Sequence, residues 1–152
     1  MPHSHRKSPK KHAKTSQQSE KQSVNPAERL SRRLAREHRT FVYMTQLYCH
    51  KHHQHPLGSL CDACASLMAY AAQKLDRCPY GDDKPTCVKC PIHCYKAKER
   101  EQSREIMRYS GPRMLVRHPI LAILHLIDGR QPVPEQPSMR SNRQRRKAEK
   151  KS

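Results

Sequence analysis

Apolar residues are nearly missing from the first 25 positions and then recur at helical intervals. Leu30, Leu34, Phe41, Met44 and Tyr48 follow one another by three, four or seven residues, which places one apolar stripe along a helix running to about Cys49. Asn25 and Pro26 predict its start, a capping side chain followed by proline at the first helical position. Arg29, Arg32, Arg33, Arg36 and Arg39 take its other faces. A second stripe, Leu60, Cys64, Leu67, Met68, Ala71 and Leu75, follows the breakers Pro56, Gly58 and Ser59. Between Cys78 and Tyr95 the periodicity lapses, because Pro79, Gly81, Asp82, Asp83, Pro85 and Pro91 favour turns. A charge-alternating run after Tyr95, with Glu101 and Glu105 close to Arg104 and Arg108, predicts a third helix that stops at Ser110-Gly111-Pro112. Met114, Leu115 and Val116 restart a short helix, and Pro119 opens the last one, where Ile120, Leu121, Ile123, Leu124 and Ile127 lie nearly all round. Such a helix is either buried in the domain or docked on a protein partner. Gly129 is expected to end it.

The expected fold is therefore mostly α, a small domain of four to five helices with Cys/His metal knuckles. Residues 26–129 form that domain, 1–25 a disordered basic tail, and 130–152 a Pro-rich and then basic disordered tail. Composition narrows the margin for folding. Only 34% of the 152 residues are hydrophobic, with no Trp and one Phe, so the core is thin and needs help from a metal or disulfides. A secretory signal is not evident, since the basic N-terminus has no apolar segment after it, and the run from Pro119 to Ile127 is too short for a bilayer. A cytoplasmic, reducing location without membrane attachment is the expectation. There, paired cysteines bind metal more often than they form disulfides, and seven thiols cannot all pair.

The cysteines fall into two groups. Cys78, Cys87, Cys90 and Cys94 supply four thiolates at spacing Cys-x8-Cys-x2-Cys-x3-Cys, enough for one tetrahedral site, with His93 as a spare donor. Cys49 leaves the first helix into a histidine-dense stretch, His50, His52, His53 and His55, and Cys61 and Cys64 begin the second helix. Cys49, His53, Cys61 and Cys64 make a Cys3His set. Sequence spacing leaves an interleaved pairing of the same ligands open. Cys64 also lies on the buried stripe, where a core thiol is the other reading, but a Cys-x2-Cys pair is more specific to metal than a lone thiol. Zinc suits the Cys3His set, and the prolines after Cys78 and Cys90 suit a 4Fe-4S cluster.

The formal charge of +18 sits largely in the two tails, which favours solubility and non-specific contact with nucleic acid. No paired carboxylates in an apolar setting, Gly-rich phosphate loop or nucleophile elbow occurs, so a non-catalytic protein is expected. A metal-stabilised nucleic-acid-binding regulator is the alternative.

From about Leu30 to Asp128 the chain resembles the nitrous oxide-stimulated promoter family of small bacterial proteins. The likeness lies in Tyr48-Cys49, His53, Leu60-Cys61 with Cys64, the block Cys78 to Cys87, Cys90, and His93-Cys94-Tyr95. It continues through the run Met107 to Met114 and His118-Pro119. The resemblance implies a cytosolic protein of the nitric oxide and nitrosative stress response, and implies no particular activity.

Overall fold

The computed structural model describes residues 26–135, 137 and 140–151. Within them lie two 3-10 turns and five helices: Pro26–Arg29, α1 (Arg32–His52), α2 (Asp62–Asp76), the turn Gly81–Asp83, α3 (Ala97–Arg117), α4 (Pro119–Arg130) and α5 (Asn142–Glu149). No strand occurs among the described residues, and no helix there is long and apolar enough to cross a membrane. The expected tail 1–25 lies outside the described residues.

α1 is the central element and packs against both α2 and α3, while α4 folds back on α3. Phe41 and Met44 of α1, Leu67, Met68 and Ala71 of α2, Ile106 and Met114 of α3 and Ala122 of α4 form the core. Leu34, Phe41 and Met44 of the first predicted stripe and Cys64, Leu67, Met68, Ala71 and Leu75 of the second are buried, whereas Leu30, Tyr48 and Leu60 are half-buried. Polar side chains in this core are bonded. His38 Nε2 lies 3.0 Å from the Met68 carbonyl, and the Thr45 hydroxyl donates to the Phe41 carbonyl at 2.8 Å. A core histidine so placed ties α1 to α2 by a side chain-to-backbone bond.

Three expectations need correction. First, α1 begins six residues after Pro26, behind a separate 3-10 turn. Ser31 is its N-cap, accepting from the Leu34 amide and donating to the Asp82 carboxylate. Second, α3 does not stop at Ser110-Gly111-Pro112 but continues to Arg117. An interior proline costs about 3 kcal/mol, so tertiary contacts have to offset it. The fully buried Ser110 hydroxyl donates to the Met44 carbonyl at 2.7 Å, and Met114 is buried in the core one turn later. Those two contacts hold the helix on course through the break.

Third, part of the segment read as a disordered basic tail is α5. Ser141 and Gln144 form a reciprocal capping box, and Arg146 makes a two-pronged contact with Asp76 at 2.8 and 3.0 Å. Asn142 donates to the same carboxylate, and Arg145 pairs with Asp82 at 2.9 Å. Burial alone would raise the Asp76 pKa, but the bonds from Arg146 and Asn142 outweigh it and hold the carboxyl below its ordinary value.

Of the two environments expected for α4, burial within the domain is not what the described residues show. Ala122 is its one buried residue, whereas Ile120 is 72% and Leu126 58% exposed. It is therefore not enclosed within the described domain. Its ends are fixed by a stacked Tyr43–His118 pair, 4.3 Å between centroids, and by Arg36–Asp128 at 2.9 Å.

Candidate metal centre

Cys49 lies in the last turn of α1 and is completely buried. His53 is the residue that ends the helix, its amide donating to the Cys49 carbonyl at 2.9 Å. The two residues are four apart, one turn, so they share a face. Gln54 then takes a positive φ of 52° and Gly58 one of 85°, turning the chain back toward α1. Gln46 of α1 holds that turn by donating to the Gly58 carbonyl at 2.8 Å. Cys61 arrives as the N-cap of α2, with Cys64 in the first turn.

The last turn of one helix thus faces the first turn of the next. The four ligand atoms of Cys49, His53, Cys61 and Cys64 all lie within 4.8 Å of one another. His53 Nδ1 is 3.2 Å from Cys61 Sγ and 3.4 Å from Cys64 Sγ, and the Cys61 amide is 3.3 Å from Cys49 Sγ. Ligands at metal–sulfur distances of about 2.3 Å around a tetrahedral ion stand roughly 3.8 Å apart, so small adjustments close the site on a single cation. Nδ1 is the imidazole nitrogen directed at the sulfurs. The neighbouring His52 is placed elsewhere, stacked on Tyr48 at 4.2 Å and edge-on to Tyr109.

Electrostatics separate the thiols. A bond from the Cys64 backbone, helped by contacts with Cys49, Cys64 and His53, lowers the Cys61 thiol to a pKa of about 7, against the opposing effect of burial. Burial, and then the neighbouring cysteines, push Cys64 upward. One thiolate is thus available near neutrality, and a cation displaces the remaining protons as it binds.

The second group is arranged differently. Cys78, Cys87, Cys90 and Cys94 line a cavity of about 450 Å³ between α1, the end of α2, the loop to α3 and the α3 surface. Among the described residues, no three of these donors approach within 4.8 Å of one another as the Cys3His set does. Cys78 is buried, whereas Cys87 and Cys94 keep solvent-exposed surface. Crowding of the sulfurs by neighbouring protein atoms raises the pKa of Cys78, Cys87 and Cys94, with Lys84 acting the other way on each. His93 is exposed on the same cavity.

Two residues with no signal of a role in the sequence complete this wall. The Lys84 ammonium is buried, 2.5 Å from Glu37 Oε1 and 3.5 Å from Cys87 Sγ. Burial would lower its pKa, but Glu37 and the adjacent thiols outweigh that and hold the ammonium charged. Lys84 stands in the cysteine-rich block, yet its partner lies 47 positions earlier on an arginine-rich helix, where a lone glutamate reads as surface charge.

The fold and the site define a small all-helical, cysteine-rich protein with a Cys3His group able to hold a metal ion. Residues 32–138 match the family described as nitrous oxide-stimulated promoter. The chain is also 45% identical over 106 residues to the uncharacterized protein YgbA of Escherichia coli (strain K12), spanning 70% of this chain and 89% of that one. It belongs to the nitrous oxide-stimulated promoter family. All eight candidate ligands fall inside the matched region, and α5 falls beyond it. No solved structure matches the chain.

Proposed function

We propose that this chain is a cytoplasmic, non-catalytic metal-binding protein that serves the response to nitric oxide and related stress, with zinc held by Cys49, His53, Cys61 and Cys64. The observation that carries the reading is the convergence of those four ligand atoms within 4.8 Å at the junction of α1 and α2. A Cys3His set favours zinc, and four protein donors close the coordination sphere, leaving no open position for a substrate. The role is structural and, through its thiolates, responsive. A nitrosating species such as dinitrogen trioxide is attacked by a thiolate sulfur; an S–N bond forms, the N–N bond breaks and nitrite leaves with the electron pair. Loss of one ligand in this way loosens the ion and with it the α1–α2 junction. The family description, with its reference to a nitrogen oxide, supports the physiological setting.

Nucleic-acid binding draws less support. Arg36, Arg145 and Arg146 are committed to Asp128, Asp82 and Asp76, and Arg33 donates to the carbonyls of Asp82 and Lys84.

Elemental analysis of the full-length chain, purified without added metal, tests the reading. About one zinc per chain is expected, falling at least fivefold in His53→Ala. Equal zinc in wild type and His53→Ala, or metal-free protein with an unchanged melting temperature after chelation, overturns it.

A further inference from the structure

The loop cysteines remain outside the closed set, and they share a cavity with an unusual charge lining. Cys78 follows the end of α2, Cys87 and Cys90 flank a turn in which the Lys89 and Cys90 amides donate to the Thr86 carbonyl, and Cys94 precedes α3. All four line the same cavity, together with Lys84 and Glu37. Among the described residues, no three of the four cysteines gather as the Cys3His set does. The cavity of about 450 Å³ is also far larger than one cation fills.

Four thiolates set apart around a cavity match a polynuclear group, whose separate metal atoms each take one sulfur. Charge agrees. A four-iron, four-sulfur core with four thiolates is a net anion, and this cavity presents Lys84, Lys74, Arg100 and Arg104, the last paired with Glu101, against one lining carboxylate, Glu37. Lys84 touches Cys87 Sγ and is 5% exposed, a fixed cation beside a ligand instead of a mobile surface charge. Prolines directly after Cys78 and Cys90 stiffen the backbone beside two of the sulfurs. The open positions of Cys87 and Cys94 leave one side accessible to a small dissolved gas.

We infer that the chain carries two chemically distinct centres, and that Cys78, Cys87, Cys90 and Cys94 hold a 4Fe-4S cluster with Lys84 as its counter-charge. This assignment rests on the reading of the chain as a metal-binding protein. It divides the work: the Cys3His ion joins α1 to α2, and the cluster adds a second, more exposed group within reach of nitrogen oxides.

The test is anaerobic purification of the full-length chain, with iron, acid-labile sulfide and zinc measured together with the visible spectrum. About four irons and four sulfides per chain, beside zinc, are expected for a bound cluster. Cys90→Ala and Cys94→Ala are expected to lose iron and the visible absorbance at least fivefold while keeping zinc, and Cys61→Ala to lose zinc. Lys84→Met, which removes no ligand, is expected to lower iron retention severalfold with zinc unchanged, so the inference stays testable even where an alanine variant fails to fold. Colourless protein with zinc at both centres overturns the cluster and leaves the proposed function standing. Iron retained undiminished in the Cys90, Cys94 and Lys84 variants also overturns it. Protein that takes up neither metal, even on anaerobic reconstitution, overturns both.

Discussion

The two cysteine groups differ less in composition than in what carries them. Cys49, His53, Cys61 and Cys64 are mounted on helix ends, with a turn of α1 and a turn of α2 fixing the spacing within each pair. Core packing of Phe41, Met44, Leu67 and Met68 then brings the pairs together. Cys78, Cys87, Cys90 and Cys94 are mounted on a loop broken by Pro79, Gly81, Pro85 and Pro91, so side chain and backbone bonds, not helical register, set their positions. Helix-borne ligands converge because the core that holds the helices holds them too. Loop-borne ligands stay apart, around a cavity held by Lys84 and Glu37. The lesson is that four thiols in a row in the sequence need not make the tighter site.

The largest expected effect is on the helix-borne centre. A structural zinc contributes about 10–16 kcal/mol of apparent binding free energy, comparable to or above the 5–15 kcal/mol that holds a typical domain folded. Cys49 and Cys64 are buried, so replacing either by serine removes a ligand and places a hydroxyl in the α1–α2 junction. Cys49→Ser is expected to abolish the cooperative thermal transition followed by circular dichroism. Cys87→Ser, on the loop and open to solvent, is expected to keep a cooperative transition. A cooperative melt in Cys49→Ser at the wild-type temperature would remove the distinction between the two regions.

An intermediate effect is expected where the loop centre leans on α1. Removing one partner of a buried ion pair costs about 3–5 kcal/mol when the remaining charge has no substitute. Glu37→Ala leaves the buried Lys84 ammonium with only the Pro85 carbonyl and Cys87 Sγ, and in metal-free protein most of that loss is expected. Lys84→Met is expected to cost less, since Glu37 is partly exposed and regains water. Urea titration of both variants measures the order. The pair also carries a pH signature. The folded state raises the Lys84 pKa above its ordinary 10.5, so its stabilisation is complete below 10.5 and is lost as pH rises through the higher folded value. The wild-type advantage over Lys84→Met is accordingly expected to be constant up to about pH 10 and to shrink only beyond it.

Much of this architecture was legible in the residues. Stripes at three and four spacings located α1 and α2, and the order Cys49, His53, Cys61, Cys64 grouped the ligands that the structure brings together. What could not be read was pairing at a distance. Pro112 carries a helix-breaking signal that is locally correct, and it is overridden by Ser110 and Met114 meeting residues of α1 more than sixty positions away. The charge pattern of residues 140–151 resembles a solvated tail because its neutralising carboxylates, Asp76 and Asp82, belong to another part of the chain. The capping pair Ser141 and Gln144 was the local clue to α5. Propensity and periodicity report a segment's own tendencies, and long-range ion pairs lie outside both.

The smallest expected effect concerns whether α5 supports the loop centre or merely rests on the surface. Arg146 holds Asp76 at the end of α2, and Arg145 holds Asp82 in the turn Gly81–Asp83, between Cys78 and Lys84. A bidentate, partly buried pair of this kind contributes about 1–2 kcal/mol. Arg146→Ala is expected to lower stability by that amount, with faster hydrogen exchange in residues 78–84 and unchanged exchange around Cys49 and Cys61. The sign with pH follows from Asp76. Its carboxyl is held below the ordinary 3.8 in the folded state, so the contribution is present above 3.8 and is lost as pH falls through the lower folded value. The stability difference between wild type and Arg146→Ala is therefore expected to be constant from neutrality down to about pH 4 and to close below it. Equal acceleration of exchange at both centres would show that α5 steadies the whole domain, and the contrast between helix-borne and loop-borne ligands would lose its dynamic half.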